Sequence, residues 1–127
     1  MREHNGLDIL VLDDEEKLRD MMKIILSTNN ENDKIFVTGD IHEAIEYKAD
    51  LYFLDYTLGN GYVGSQVAEE LRNSNDNHLI VHYSSIPIED LTRKEIGLYD
   101  LFLMKPVNLQ EIKNVVELTR DLIYPKK

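Results

Sequence analysis

Short apolar runs alternate with longer amphipathic stretches along the whole chain. Residues 7–12 are almost wholly apolar and end at Asp13-Asp14-Glu15-Glu16, which reads as a buried strand running into a helix start. Leu18, Met21, Met22 and Ile25 then recur at i, i+3, i+4 and i+7, an amphipathic helix with acidic residues in its first turn and the methionine pair as core filling. A polar loop at 29–33 leads to a second strand at 35–38, and Gly39-Asp40 turns into a short helix around Ile41, Ala44 and Ile45. Residues 51–54 form a third strand ending at Asp55. The glycine-rich loop 58–64 opens a helix carrying Val67, Ala68 and Leu71, which stops at the polar stretch 73–77. Residues 79–83 are a fourth strand, followed by Ser84-Ser85 and a weak helix between Ile88 and Ile96. Residues 101–104 are a fifth strand broken by Lys105-Pro106, and Leu109, Ile112, Val115, Val116, Leu122 and Ile123 mark a last helix.

Five apolar strands alternating with five helices predict an α/β fold whose parallel sheet is covered on both faces. The specific expectation is a doubly wound (βα)5 sandwich of flavodoxin-like strand order 2-1-3-4-5. A length of 127 residues suits a single domain over 1–127, and the stretch after Pro106 leaves room for one helix and no output domain in this chain.

Charge narrows the possible partners. Fourteen Lys and Arg against twenty-four Asp and Glu give a net charge of −10, with a pI near 4.7. Such a surface repels phosphate backbones and anionic lipids, so no nucleic acid and no membrane is expected to bind this chain alone. The absence of cysteine excludes disulfides, thiol chemistry and Cys-based zinc sites. No apolar run approaches the roughly 20 residues that span a bilayer, and no charged apolar leader opens the chain; a cytoplasmic location is the expectation.

Ligands of open α/β sheets sit beyond the carboxyl ends of the strands, so the residues delivered there are the candidates for chemistry. Strand one delivers Asp13 and Asp14, strand three Asp55, strand four Ser84, and strand five Lys105 followed by Pro106. Three carboxylates brought together resist full ionisation unless a cation joins them. Hard oxygen ligands without His or Cys suit Mg2+, with Mn2+ as a substitute. A lysine and a hydroxyl beside them complete a site for a phosphoryl group, and a carboxylate can itself accept that group as an acyl phosphate.

In these residues the chain resembles the response-regulator receiver domain of two-component signal transduction. The resemblance rests on Ile9-Leu10-Val11-Leu12-Asp13-Asp14-Glu15, Leu54-Asp55, Gly64, Ser84 and Lys105-Pro106, spread over the chain in the family's order. It implies Asp55 as phosphoacceptor, Asp14 as a direct metal ligand, Asp13 acting mainly through a water, and Thr57 lending its backbone carbonyl. Ser84 matches the switch hydroxyl, Lys105 the phosphate-binding lysine and Phe102 the switch aromatic. The bond before Pro106 is implied to be cis. The resemblance further implies a phosphoprotein of a phosphorelay, charged by a histidine kinase or histidine phosphotransfer protein. Its reader would be a downstream protein, or a second copy in a homodimer, at the face made by helix 4, strand 5 and helix 5. Such a domain promotes its own phosphorylation and dephosphorylation without turning over a free substrate.

The chain also departs from the family. The loop Tyr56-Thr57-Leu58-Gly59-Asn60-Gly61 lacks the usual proline, Ser85 stands where alanine is common, Thr57 and Ile86 occupy positions that influence phosphoryl lifetime, and the Gly97-to-Lys105 spacing is about one residue longer than usual. Plainer readings exist for each residue alone: Asp13-Asp14 as a helix cap, Asp55 and Ser84 as turn residues, Lys105 as an edge charge, Phe102 as packing. Their convergence on one sheet edge favours a site. The alternative function is a receiver-like adaptor that binds partners without being phosphorylated. A haloacid-dehalogenase-type phosphatase fits poorly, because its aspartates are one residue apart and these are adjacent. His4, His42, His78 and His82 lack a metal-ligand spacing, and His82 reads as a satisfied strand residue.

Overall fold

The computed structural model describes residues 5–74 and 78–126; His4 and the 75–77 part of the polar stretch after the third helix lie outside them. The elements are β1 (Asp8–Leu12), α1 (Glu16–Ser27), β2 (Lys34–Thr38), α2 (Ile41–Glu46), β3 (Leu51–Leu54), α3 (Gly64–Arg72), β4 (Leu79–Ser84), α4 (Arg93–Ile96), β5 (Leu101–Met104) and α5 (Leu109–Ile123). The strands form one parallel sheet of order β2-β1-β3-β4-β5. This is the expected doubly wound arrangement, and its switch point lies between β1 and β3, where the chain reverses direction across the sheet.

Alternation along each strand divides the core into two layers. Ile9 and Val11 point to one face with Phe53, Val81 and Tyr83, against Met22 and Leu26 of α1 and Ile112, Val115 and Val116 of α5. Leu10 and Leu12 point to the other with Leu54 and Ile80, against Ala44 of α2 and Val67, Ala68 and Leu71 of α3. Both faces are therefore covered, which is why the strands carry hardly any polar residues. Asp40 caps α2 by accepting from the backbone N–H groups of His42 and Glu43, and Asn108 caps α5 by accepting from Glu111 N–H.

Three sequence expectations need correction. The weak helix between Ile88 and Ile96 is two pieces, a single 3-10 turn at Ile88–Asp90 and the separate four-residue α4. Thr92 starts a new helix there: its hydroxyl accepts from Glu95 N–H while Glu95 accepts from Thr92 N–H, and this reciprocal cap leaves Leu91 and Thr92 extended. In α1 only Met22 fills the core; Met21 lies to the side of the buried stripe and is 42% exposed. In α5, Leu109 and Leu122 share the apolar spacing but are exposed. A 3.6-residue period fixes which face is apolar, but the reach of the sheet decides how much of that face is covered.

At the opposite end of the sheet from the acidic residues, Arg120 of α5 forms a bidentate pair with Asp33, both N–H···O distances being 2.8 Å. Arg120 also donates to the Asn5 carbonyl, and Asp33 accepts from Leu7 N–H. Tyr124 O–H donates to the Gly6 carbonyl. The last helix is thus tied to the start of β1 and the loop before β2. No helix among the described residues is long and apolar enough to cross a membrane.

Candidate functional site

Asp13 and Asp14 follow the last residue of β1, and Asp55 follows the last residue of β3, its backbone N–H donating to the Leu12 carbonyl. Adjacent parallel strands ending in register therefore bring the three carboxylates together. One oxygen of each lies within 4.8 Å of the others. Asp13 is fully buried, Asp55 is 6% exposed and Asp14 is open to solvent. The set is all hard oxygen, with one open side, and suits a divalent cation that keeps part of its water shell.

Lys105, just beyond β5, reaches across β4 into this cluster. Its Nζ donates to Asp13 Oδ2 at 2.8 Å and lies 3.2 Å from Asp55 Oδ2. The Lys105–Pro106 peptide is cis. Asp13 is shared: Oδ2 faces the lysine while Oδ1 accepts from Glu15 N–H at 2.9 Å, so it turns the chain into α1 as well as facing the site. Arg19 of α1 donates to the Asp13 carbonyl and fixes the backbone from behind.

Electrostatics follow from this crowding. Burial raises the Asp55 carboxyl above the ordinary range; Lys105 opposes the rise and the neighbouring Asp13 adds to it. Burial pushes the Lys105 ammonium down, but the hydrogen bond to Asp13 and the charges of Asp55 and Asp13 more than reverse it, so it is held above its usual value. A buried carboxylate that resists ionisation beside a firmly protonated lysine is an arrangement that gains by taking up more positive charge.

The remaining residues singled out by the sequence lie around this cluster in different ways. Ser84 ends β4, is 1% exposed, and its hydroxyl accepts from Ile86 N–H at 3.1 Å. Thr57 is exposed and bridges to Val63 across the glycine-rich loop. Phe102 is half-buried in an aromatic cluster with His82 at 5.9 Å and Tyr99 at 5.7 Å between ring centroids. His82 Nε2 is 2.8 Å from the Ile86 carbonyl, while its buried Nδ1 has no partner among the described residues; the ring is half satisfied. Burial lowers its pKa, opposed by the bond to the Ile86 carbonyl and by the charge of Glu95.

Sequence reasoning missed Glu95. One of its oxygens accepts from Tyr56 O–H at 2.7 Å and from Ser65 O–H at 2.8 Å, and the other closes the α4 cap. The residue after Asp55 is thereby linked to α4. The Thr92-x-x-Glu95 cap signature was visible in the sequence, but the contact with Tyr56, 39 residues away, was not.

Gly64 packs against the backbone of the site. A Cβ at this position would fall on the Asp55 carbonyl oxygen, with Asp55 C at 3.0 Å and Tyr56 Cα at 3.2 Å. Strand-end backbone cannot give way as a flexible side chain does. Gly64→Ala is expected to lose about 1–3 kcal/mol in urea unfolding through this overlap. A variant as stable as the parent would show that the Asp55 backbone tolerates displacement.

No protein-family model and no curated protein matches the sequence. Solved structures do. The response regulator TrrA from Thermotoga maritima, solved in complex with Mg2+ and BeF, is 26% identical over 94% of this chain and 99% of its own, with a TM-score of 0.75. A two-component response regulator from Clostridium difficile is 24% identical over 92% of this chain and 98% of its own, at 0.79. The N-terminal domain of an uncharacterized Wolinella succinogenes protein is 20% identical over 95% and 99%, at 0.83. The strand order and the helices on both faces are those of these neighbours: the chain has the fold of response-regulator receiver domains, with an acidic cluster at its switch point.

Proposed function

We propose that the chain is a phosphorylation-controlled switch whose phosphoacceptor is Asp55. The observation that carries this reading is the placement of Asp55: nearly buried, in one cluster with Asp13 and Asp14, and 3.2 Å from Lys105 Nζ. A carboxylate oxygen of Asp55 attacks the phosphorus of a phosphohistidine on a histidine kinase or phosphotransfer protein. The P–N bond breaks, its electron pair stays on the imidazole nitrogen, and an acyl phosphate remains on Asp55. Asp14 and Asp55 would hold Mg2+, with Asp13 acting through a water and Thr57 lending its backbone carbonyl. When bound, the cation neutralises charge developing on the phosphoryl oxygens. Lys105 pairs with one of those oxygens, and Ser84 turns its hydroxyl from Ile86 N–H to donate to another. The structural neighbour crystallised with Mg2+ and BeF supports this use of the fold.

The change is read at the face of α4, β5 and α5, where Met104 and Leu109 are exposed and Phe102 is half-buried, by a protein partner or a second copy. The added charge of about −1.5 to −2 shifts an equilibrium between two arrangements of this face. The chain turns over no free substrate beyond forming and losing its own acyl phosphate.

The test is to incubate the protein with acetyl phosphate and record its intact mass with Mg2+ and with EDTA. A single phosphoryl adduct that requires Mg2+ is expected. No adduct, and no binding of the mimic beryllofluoride, would replace this reading with that of an adaptor that works unphosphorylated.

A further inference from the structure

The site lysine has a third contact that neither carboxylate explains. Lys105 Nζ stands 4.7 Å from the centroid of the Tyr83 ring, with which it forms a cation–π pair. Tyr83 is fully buried in β4, on the α1/α5 side of the sheet, and its ring is held edge-on to Phe53 at 6.2 Å and 81°. Its hydroxyl has no hydrogen-bond partner among the described residues. The hydroxyl feels the charges of Asp13 and Asp55 without bonding to them, and the ring is the part of this side chain that meets the ammonium.

We propose that Tyr83 is a positioning residue for Lys105, its ring holding the ammonium in the pocket when the carboxylates are engaged elsewhere. The inference rests on the receiver reading above. Asp13 Oδ2 and Asp55 Oδ2 are the two anionic partners of Lys105, and both residues belong to the cluster suited to a divalent cation. A hard cation competes with the lysine for carboxylate oxygens and has little use for a π face. With Asp55 drawn to a cation or a phosphoryl group, the Tyr83 ring would keep its hold on Lys105 and leave the ammonium free to turn toward a phosphoryl oxygen without leaving the pocket. Aliphatic side chains at position 83 would fill most of the volume without this attraction.

The test is the rate of phosphorylation by acetyl phosphate at saturating Mg2+, read by intact mass. In Tyr83→Leu the rate constant is expected to fall about three- to tenfold, the range a partly desolvated cation–π contact supports. Tyr83→Phe, which keeps the ring, is expected to restore most of the rate. In a Lys105→Met background, Tyr83→Leu should have no further effect. If Tyr83→Leu does not fold, Tyr83→Met takes its place. A Leu or Met variant as fast as the parent overturns the inference, as does the same loss with and without Lys105, which would mark a merely structural role. A parent protein that forms no adduct overturns the receiver reading and this inference with it.

Discussion

Asp55→Asn is expected to abolish the phosphoryl adduct while raising the resistance of the fold to urea. The first effect is all-or-none, because the amide has no anionic oxygen to attack phosphorus. The second follows from the sign of the Asp55 shift. Its folded carboxyl is raised, mainly by burial, so ionising it costs more in the folded than in the unfolded chain. The cost is fully present at neutral pH, shrinks as pH falls through the raised folded value, and is gone below the ordinary carboxyl range, where both states are protonated. Asparagine removes it at every pH. The gap in urea midpoint between variant and parent should therefore be widest near neutrality and close on acidification. Lys105 keeps its 2.8 Å bond to Asp13 in the variant, so it is not left unpaired. A variant labelled as fully as the parent would remove Asp55 as phosphoacceptor; a variant less stable at pH 7 would show that the attraction to Lys105 outweighs burial.

The largest loss of stability is expected far from the site. Arg120→Met leaves Asp33, whose side chain is fully buried, without its bidentate partner, and leaves the Asn5 carbonyl without its donor. Breaking a buried pair on one side costs about 3–5 kcal/mol, because the remaining charge stays desolvated. Against a total stability of about 5–15 kcal/mol, that is enough to bring a domain of this size close to unfolding. Urea unfolding measures it directly. Adding Asp33→Asn should recover much of the loss, since the amide oxygen still accepts from Leu7 N–H at no charge cost. A loss below ~1 kcal/mol would mean that Asp33 finds water or another donor when the arginine is gone.

The apolar runs placed all five strands to within a residue or so, because a strand buried on both faces has few polar positions to blur its ends. Helix cores were read less surely. Met21, Leu109 and Leu122 match an amphipathic period yet stand in solvent, since period assigns a face and the neighbouring element decides its width. The piece after β4 was misread for a different reason: the cap formed by Thr92 and Glu95 starts a fresh helix, and a local reciprocal hydrogen bond outweighs a loose apolar spacing. The phosphoacceptor candidate, its acidic neighbours and the lysine were legible because each ends a strand, and strand ends of a parallel sheet share an edge. Tyr83 was not singled out, because a tyrosine inside an apolar run looks like core until Lys105 is laid over its ring.

By itself, then, the sequence determined the element order, the parallel sheet and the edge on which the carboxylates gather. Those properties follow from hydrophobic period and from the topology it imposes, both of which are local or nearly so. Only the tertiary structure decided that Asp13 divides its two oxygens between a backbone N–H and Lys105, that Glu95 ties Tyr56 to α4, and that Arg120 reaches back to Asp33. Apart from the local Asp13–Glu15 bond, each of these joins residues far apart along the chain, so the pairing is chosen by packing geometry. The energy of such contacts depends on burial, which is a property of the assembled fold and of no segment within it.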